Sequence, residues 1–103
     1  MDNLSQDEET LYSLLDIVQN SIPTKLEDLK QAIDRVDLPE MKAILHSIRG
    51  SAQNMYFTAL AEAAAILEKS GEDLSKENAR VLLDDIMHRW HEVLNVIVDF
   101  KLP

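Results

Sequence analysis

Two short stretches of this chain hold the residue types that do chemistry. The first, LHSIRGSAQ at residues 45–53, sets Arg49 three residues after His46 and Gly50 one further on. A neutral imidazole nitrogen is a nucleophile near pH 7. A guanidinium within a turn of it favours an added phosphoryl group, whose charge approaches about −2 and whose oxygens accept charge-assisted hydrogen bonds. Glycine inside a helix costs about 1 kcal/mol relative to alanine, so Gly50 needs a reason to be there. In the second stretch Asp84, His88, His91 and Asn95 follow one another at steps of four, three and four. On a helix that is one polar face, from which three side chains such as Asp84, His88 and His91 reach a transition metal. A solvated helix face has the same composition, and no second ligand set accompanies this one.

These residues must be positioned by helices, because apolar residues recur throughout at helical spacing and strand alternation is absent. Ser5-Gln6-Asp7-Glu8 matches a capping box and precedes Leu11, Leu14, Leu15 and Val18, which predicts a short first helix over residues 6–20. Pro23 is best tolerated in a first helical turn, and Ile22, Leu26, Leu29, Ile33 and Val36 then give a second helix. Asp37-Leu38-Pro39-Glu40 supplies a cap and a first-turn proline for a third, with Met41, Ile44, Leu45, Ile48, Ala52 and Met55 as its stripe. Register is lost around residues 54–57. A fourth helix resumes through Leu60, Ala63, Ala64 and Leu67 and closes at Gly71 as C-cap. The last runs from an N-cap at Ser75 to about Phe100, burying Leu83, Ile86, Trp90, Val93, Leu94 and Ile97. Helices with one apolar face each, joined by short loops, predict an all-α fold: an antiparallel up-and-down four-helix bundle with an additional short N-terminal helix.

Placed on a wheel of about 100° per residue, the third helix points His46 away from its buried stripe. Lys42, Arg49 and Gln53 fall on the same side, and Gly50 and Ala43 lie just beyond, farthest from the core. Gly50 then has a purpose: with Ala43 it leaves the imidazole open to close approach by a partner's surface, and the helix gives up stability for that access.

The chain as a whole narrows the classes of function. Its 103 residues, 46% apolar and 28% charged, suit one packed domain spanning 1–103. Absence of cysteine excludes disulfides and thiolate chemistry and fits a cytoplasmic location. No apolar run reaches membrane-span length, and the start MDNLSQDEET lacks a signal peptide's basic region. A net charge of −9 repels nucleic-acid phosphates and anionic membranes.

The stretch HSIRGSAQNMYFTALAEAAAILEKSGED resembles the central segment of histidine-containing phosphotransfer (HPt) domains. Their pattern is a histidine, two variable residues, a Lys or Arg, a Gly and a small residue, which His46, Arg49, Gly50 and Ser51 fit. The preceding LLDIVQNSIPTKLEDLKQAIDRVDLPEMKAILHSIRG is similar to the family's N-terminal helices, so the likeness covers nearly the whole chain. The family tends to carry a Glu or Gln twenty-two residues after the histidine that hydrogen-bonds its ring, and Glu68 stands there. Ten residues after the histidine it usually has glycine, where this chain has Tyr56; a turn with positive φ would strain a tyrosine.

The resemblance implies a phosphorelay carrier. His46 would take a phosphoryl group from a receiver-domain aspartate of a hybrid sensor histidine kinase and pass it to the receiver of a response regulator. Arg49 and Lys42 would steady the phosphoryl charge, Gly50, Ala43, Gln53 and Ser51 would admit the receiver, and Glu68 would orient the imidazole by its Nδ1 hydrogen. It also implies no ATP binding, no autokinase activity and no cofactor of the chain's own, Mg²⁺ being supplied by the receiver. A monomer is expected, and Met1 with a complete bundle favours a free-standing protein. Two other readings compete: a bundle that docks on a kinase or receiver without transferring phosphate, and a metal-binding bundle using Asp84, His88 and His91.

Overall fold

The computed structural model describes residues 6–70 and 75–101, and every element among them is helical: α1 Gln6–Asp34, α2 Leu38–Asn54, α3 Thr58–Ser70 and α4 Lys76–Lys101. Each helix packs on the next in sequence, and α4 returns to α1, which closes a four-membered ring around one core. Ile22, Leu29, Ile33, Leu45, Ile48, Leu60, Leu67, Ile86 and Ile97 are fully enclosed there, and no described polar side chain is buried. Trp90 joins this core, as its place on the last apolar stripe predicts.

The break expected before Pro23 does not occur. The short N-terminal helix and the second helix are one, with Pro23 inside α1. An interior proline costs about 3 kcal/mol through one lost hydrogen bond and a clash with the preceding turn. Leu15, Val18, Ile22, Leu26 and Leu29 nevertheless form one continuous buried stripe across it, while Pro23 itself faces solvent. Burying each large aliphatic side chain contributes about 1.5–3 kcal/mol, so keeping Ile22 and Leu26 in register outweighs the defect.

Unequal helix lengths correct a second expectation. At 1.5 Å per residue, the 29 residues of α1 and 26 of α4 outreach the 17 of α2 and 13 of α3. The molecule is elongated, 57 Å long and about 20 Å across. Leu11 and Leu14, expected in the core, lie partly exposed on the part of α1 that runs on without that cover. Tyr12 and Phe100 stack there with ring centroids 5.4 Å apart, tying the start of α1 to the end of α4.

The helix ends follow local rules with two exceptions. Asp37 caps α2 by accepting from the Glu40 backbone N–H at 3.2 Å, and Ser75 caps α4 by accepting from that of Asn78 at 3.1 Å. Ser5 and Gly71 lie outside the described residues, as does the Glu8 side chain, so the first capping box and the glycine C-cap fall there too. Near the other end of the bundle from Tyr12, Arg80 donates to Asp34 at 2.7 Å. That bond, helped by nearby Lys76 and Lys30, holds the Asp34 carboxyl below its ordinary range. A depressed folded-state value means that this tie is complete above the ordinary carboxylate range and is lost as pH falls through the folded value.

The exceptions are Val36 and Tyr56, both in the left-handed region with φ of 54° and 60°. Each closes a helix by the same pair of bonds. At Val36 they run from its own N–H to Ile33 O and from Asp37 N–H to Ala32 O; at Tyr56, from its own N–H to Gln53 O and from Phe57 N–H to Ala52 O. This is the Schellman arrangement, which ordinarily uses glycine because a Cβ costs about 1–2 kcal/mol there. Val36, expected on the buried stripe, is therefore turned out and 62% exposed. Val36→Gly is expected to stabilise the protein by about 1 kcal/mol, raising Tm by about 4–8 °C. An unchanged or lower Tm by calorimetry would show that the valine is not strained.

Candidate functional site

His46 sits midway along α2 on the side away from the Ile44, Leu45 and Ile48 core positions, and its side chain is 72% exposed. Arg49, one turn on, lays its guanidinium between two partners. Its Nη2 lies 3.2 Å from His46 Nδ1, and its Nη1 lies 2.9 Å from Glu68 Oε1 on α3. The latter contact is an ion pair whose angle falls outside hydrogen-bond geometry, although Oε1 is itself buried. Glu68 and Arg49 are mostly covered, so solvent screens this contact less than it would a fully exposed pair.

Glu68 thus reaches the imidazole through Arg49. Direct hydrogen bonding, the expected orienting contact, is not made: Glu68 Oε2 is 4.0 Å from Nδ1. The physical reason is competition, since the guanidinium contacts both groups, hydrogen-bonding the ring and ion-pairing with the carboxylate. Arginine only donates, so Nδ1 accepts in this arrangement and the proton of a neutral ring resides on Nε2.

Gly50 shows why its residue type is not set from within. A Cβ built there meets nothing within 4 Å, and its φ is not positive. Neither packing nor backbone conformation asks for glycine, which leaves the space outside the protein. Lys42, Ala43 and Gln53 are exposed on the same helix, as the wheel places them. Ser51 is not with them. Expected at the docking face, it is half-buried at the seam with α1, where Lys25 Nζ donates to its Oγ at 3.4 Å.

A groove that the pattern of the sequence did not reveal begins at Arg49. It encloses about 390 Å³ between α2 and α3, lined by Gln53, Tyr56, Thr58, Glu62 and Lys69 among others. Its only sequence signal was the tyrosine in place of a turn glycine. A larger groove, about 540 Å³, lies between α1 and α4 over Leu26, Leu83 and Trp90 and brings no part of the His46 group into it. The His46 ring itself stands on an open helix face, an arrangement suited to a macromolecular partner rather than an enclosed small substrate.

The polar face of α4 does not assemble a metal site. His88 Nε2 lies 4.0 Å from Glu92 Oε1, and among the described residues no three His, Cys, Asp or Glu side chains are grouped to hold an ion. No helix among them is long and apolar enough to cross a membrane.

A family model described as Hpt domain matches residues 13–97. No curated protein and no solved structure matches the chain. The matched segment contains His46, Arg49, Gly50 and Glu68, together with most of α1 and α4.

Proposed function

The chain belongs to the Hpt domain family, and on that premise we propose that His46 is the phosphorylated residue of a multistep phosphorelay. Family membership makes it a phosphocarrier that works with receiver domains of two-component systems. The finer assignment is that His46 takes the phosphoryl group from an aspartate of a hybrid sensor kinase's receiver and yields it to an aspartate of a response regulator. We further assign the four helices an antiparallel up-and-down course, the protein a monomeric state and a cytoplasmic location, and Mg²⁺ to the receiver. ATP binding and autokinase activity have no part in this reading.

The observation that carries it is the exposed imidazole beside the Arg49–Glu68 pair, with an uncluttered approach over Gly50. In the transfer, the Nε2 lone pair attacks phosphorus in line. The bond from phosphorus to the aspartyl oxygen breaks with its electrons on the departing carboxylate, and an N–P bond forms. Passage to the second receiver reverses these events. Positioning and charge neutralisation supply most of the acceleration, and the receiver brings its own acidic pocket.

Nε2 attacks only when the neutral ring carries its proton on Nδ1. The resting contact from Arg49 to Nδ1 holds the opposite tautomer, so Arg49 must leave the ring. Incoming phosphoryl oxygens are stronger acceptors than an imidazole and draw the guanidinium to themselves, with Lys42 adding charge nearby. As it moves, Glu68 Oε2, now 4.0 Å away, becomes the acceptor for the Nδ1 hydrogen. Solvent carries the proton between ring nitrogens. Arg49 and Glu68 therefore act as a pair, one on the phosphoryl and one on the ring.

Mixing the chain with a receiver that carries a labelled aspartyl phosphate is expected to move the label to the chain without ATP. Adding a second, unlabelled receiver is expected to draw it off again. A chain that binds the receiver tightly and stays unlabelled is a docking regulator, and the proposal is then wrong.

A further inference from the structure

The groove beside Arg49 ends at a residue whose backbone works against it. Tyr56 has φ of 60° and is 89% exposed, so its ring recovers almost nothing from burial for the strain at its Cα. Strain alone does not single it out, because Val36 bears the same conformation at the opposite end of α2. Position does. Tyr56 and Arg49 line the same groove, and Arg49 contacts Nδ1 of the His46 ring, so the groove adjoins the ring that carries the reactive Nε2. Ten residues separate Tyr56 from His46 along the chain, the eight to the end of α2 rising about 12 Å, which is within the footprint of a protein docked over His46. Exposed tyrosines at such places supply large, rigid contact area at little entropic cost and are prominent among interface hot spots.

We propose that Tyr56 is a specificity-determining contact for the receiver that exchanges phosphate with His46, its phenol packing against an apolar side chain of the segment flanking the receiver's aspartate. The inference rests on the function proposed above and names a further part of the same surface. Along its length the groove offers Gln53 and Thr58 for hydrogen bonds, Arg49 and Lys69 as cations, Glu62 as an acid and Ala61 and Ala65 as apolar wall. That mixed lining suits a polar loop with one apolar tip better than a wholly apolar helix. Receivers share the chemistry at their aspartate, so a contact just past the end of α2 is free to discriminate among them without altering transfer itself.

The test compares Tyr56→Gly, Tyr56→Phe and Val36→Gly with the unaltered protein, using two kinds of donor. Phosphoramidate labels an exposed histidine without docking, and a panel of receiver domains charged with acetyl phosphate requires docking. Tyr56→Gly is expected to melt higher than the unaltered protein and to be labelled by phosphoramidate at the same rate. From receivers that phosphorylate the unaltered chain, its transfer is expected to slow at least tenfold, through weaker binding. Tyr56→Phe keeps the fast transfer, because the packing surface remains. Val36→Gly gains stability with both rates unchanged. Unaltered receiver transfer in Tyr56→Gly overturns the inference and leaves the function proposal standing, and equal slowing with phosphoramidate overturns it by placing the effect at His46. A parent chain that no receiver phosphorylates overturns both.

Discussion

His46→Gln is expected to take no phosphoryl group from any donor while keeping the helical content and Tm of the parent protein. The fold has little stake in this side chain, which is 72% exposed and has Arg49 as its hydrogen-bond partner. Solvent exposure leaves this bond little net worth, and a glutamine is able to replace it. The chemistry, by contrast, loses its nucleophile, because an amide nitrogen has no available lone pair. Loss of labelling to below about a thousandth of the parent rate, the level read as no transfer, corresponds to at least about 4 kcal/mol of barrier. His88 and His91 are not expected to substitute, since they stand on α4 away from the Arg49–Glu68 pair. Circular dichroism together with labelling by a charged receiver checks both halves. Full labelling with an intact fold would end the assignment, whereas loss of fold would mean that His46 has a structural role the geometry does not display.

The second large effect concerns Gly50 and runs in opposite directions for stability and function. With no atom within 4 Å of a built Cβ and no positive φ, Gly50→Ala is expected to stabilise α2 by about 0.5–1 kcal/mol. Gly50→Leu should keep most of that gain, since leucine is nearly as good a helix former. The same leucine stands where a receiver must come close to His46. Its transfer rate from charged receivers is expected to fall about a hundredfold or more, roughly 2.7 kcal/mol, while labelling by phosphoramidate stays near that of the parent. A stabilising substitution that removes activity is the pattern expected where a functional surface has been kept at the fold's expense. Receiver transfer at the parent rate in Gly50→Leu would show that no partner surface passes over this helix, and the glycine would again be unexplained.

How far these results were legible in the sequence depended on the range of the interaction. Short-range chemistry read well: the Asp37 and Ser75 caps form as their residue types indicate, the stripes through Met41–Ala52 and Leu60–Leu67 are buried, and that of α4 is buried at Leu83, Ile86, Trp90 and Ile97 and partly buried at Val93 and Leu94. His46 is exposed for the same reason, since a wheel needs only the phase of one helix. Tertiary competition did not read. Pro23 marks a helix start by local rule, yet the unbroken stripe from Leu15 to Leu29 carries α1 through it. Leu11 and Leu14 lie on an apolar pattern and remain partly exposed because α2 and α3 are shorter, a fact about other segments.

Side-chain pairing across helices was also out of reach. The twenty-two-residue spacing brought Glu68 to the right neighbourhood, but it did not reveal that Arg49 stands between carboxylate and ring. Nor did any pattern pair Lys25 with Ser51, which is half-buried at that seam. Tyr56 was visible in advance as a departure from the family's glycine, and its positive φ makes the strain real.

The central claim is that a phosphoryl group comes to rest on Nε2 of His46. Phosphorus–proton correlation NMR on the chain charged by a receiver addresses it directly, because phosphorus bonded at Nε2 couples to both ring carbon protons and phosphorus at Nδ1 to one. The expected result is a single acid-labile phosphohistidine at position 46 with the Nε2 pattern. Phosphate attached at Nδ1, or carried by His88, His91 or a carboxylate, would contradict it.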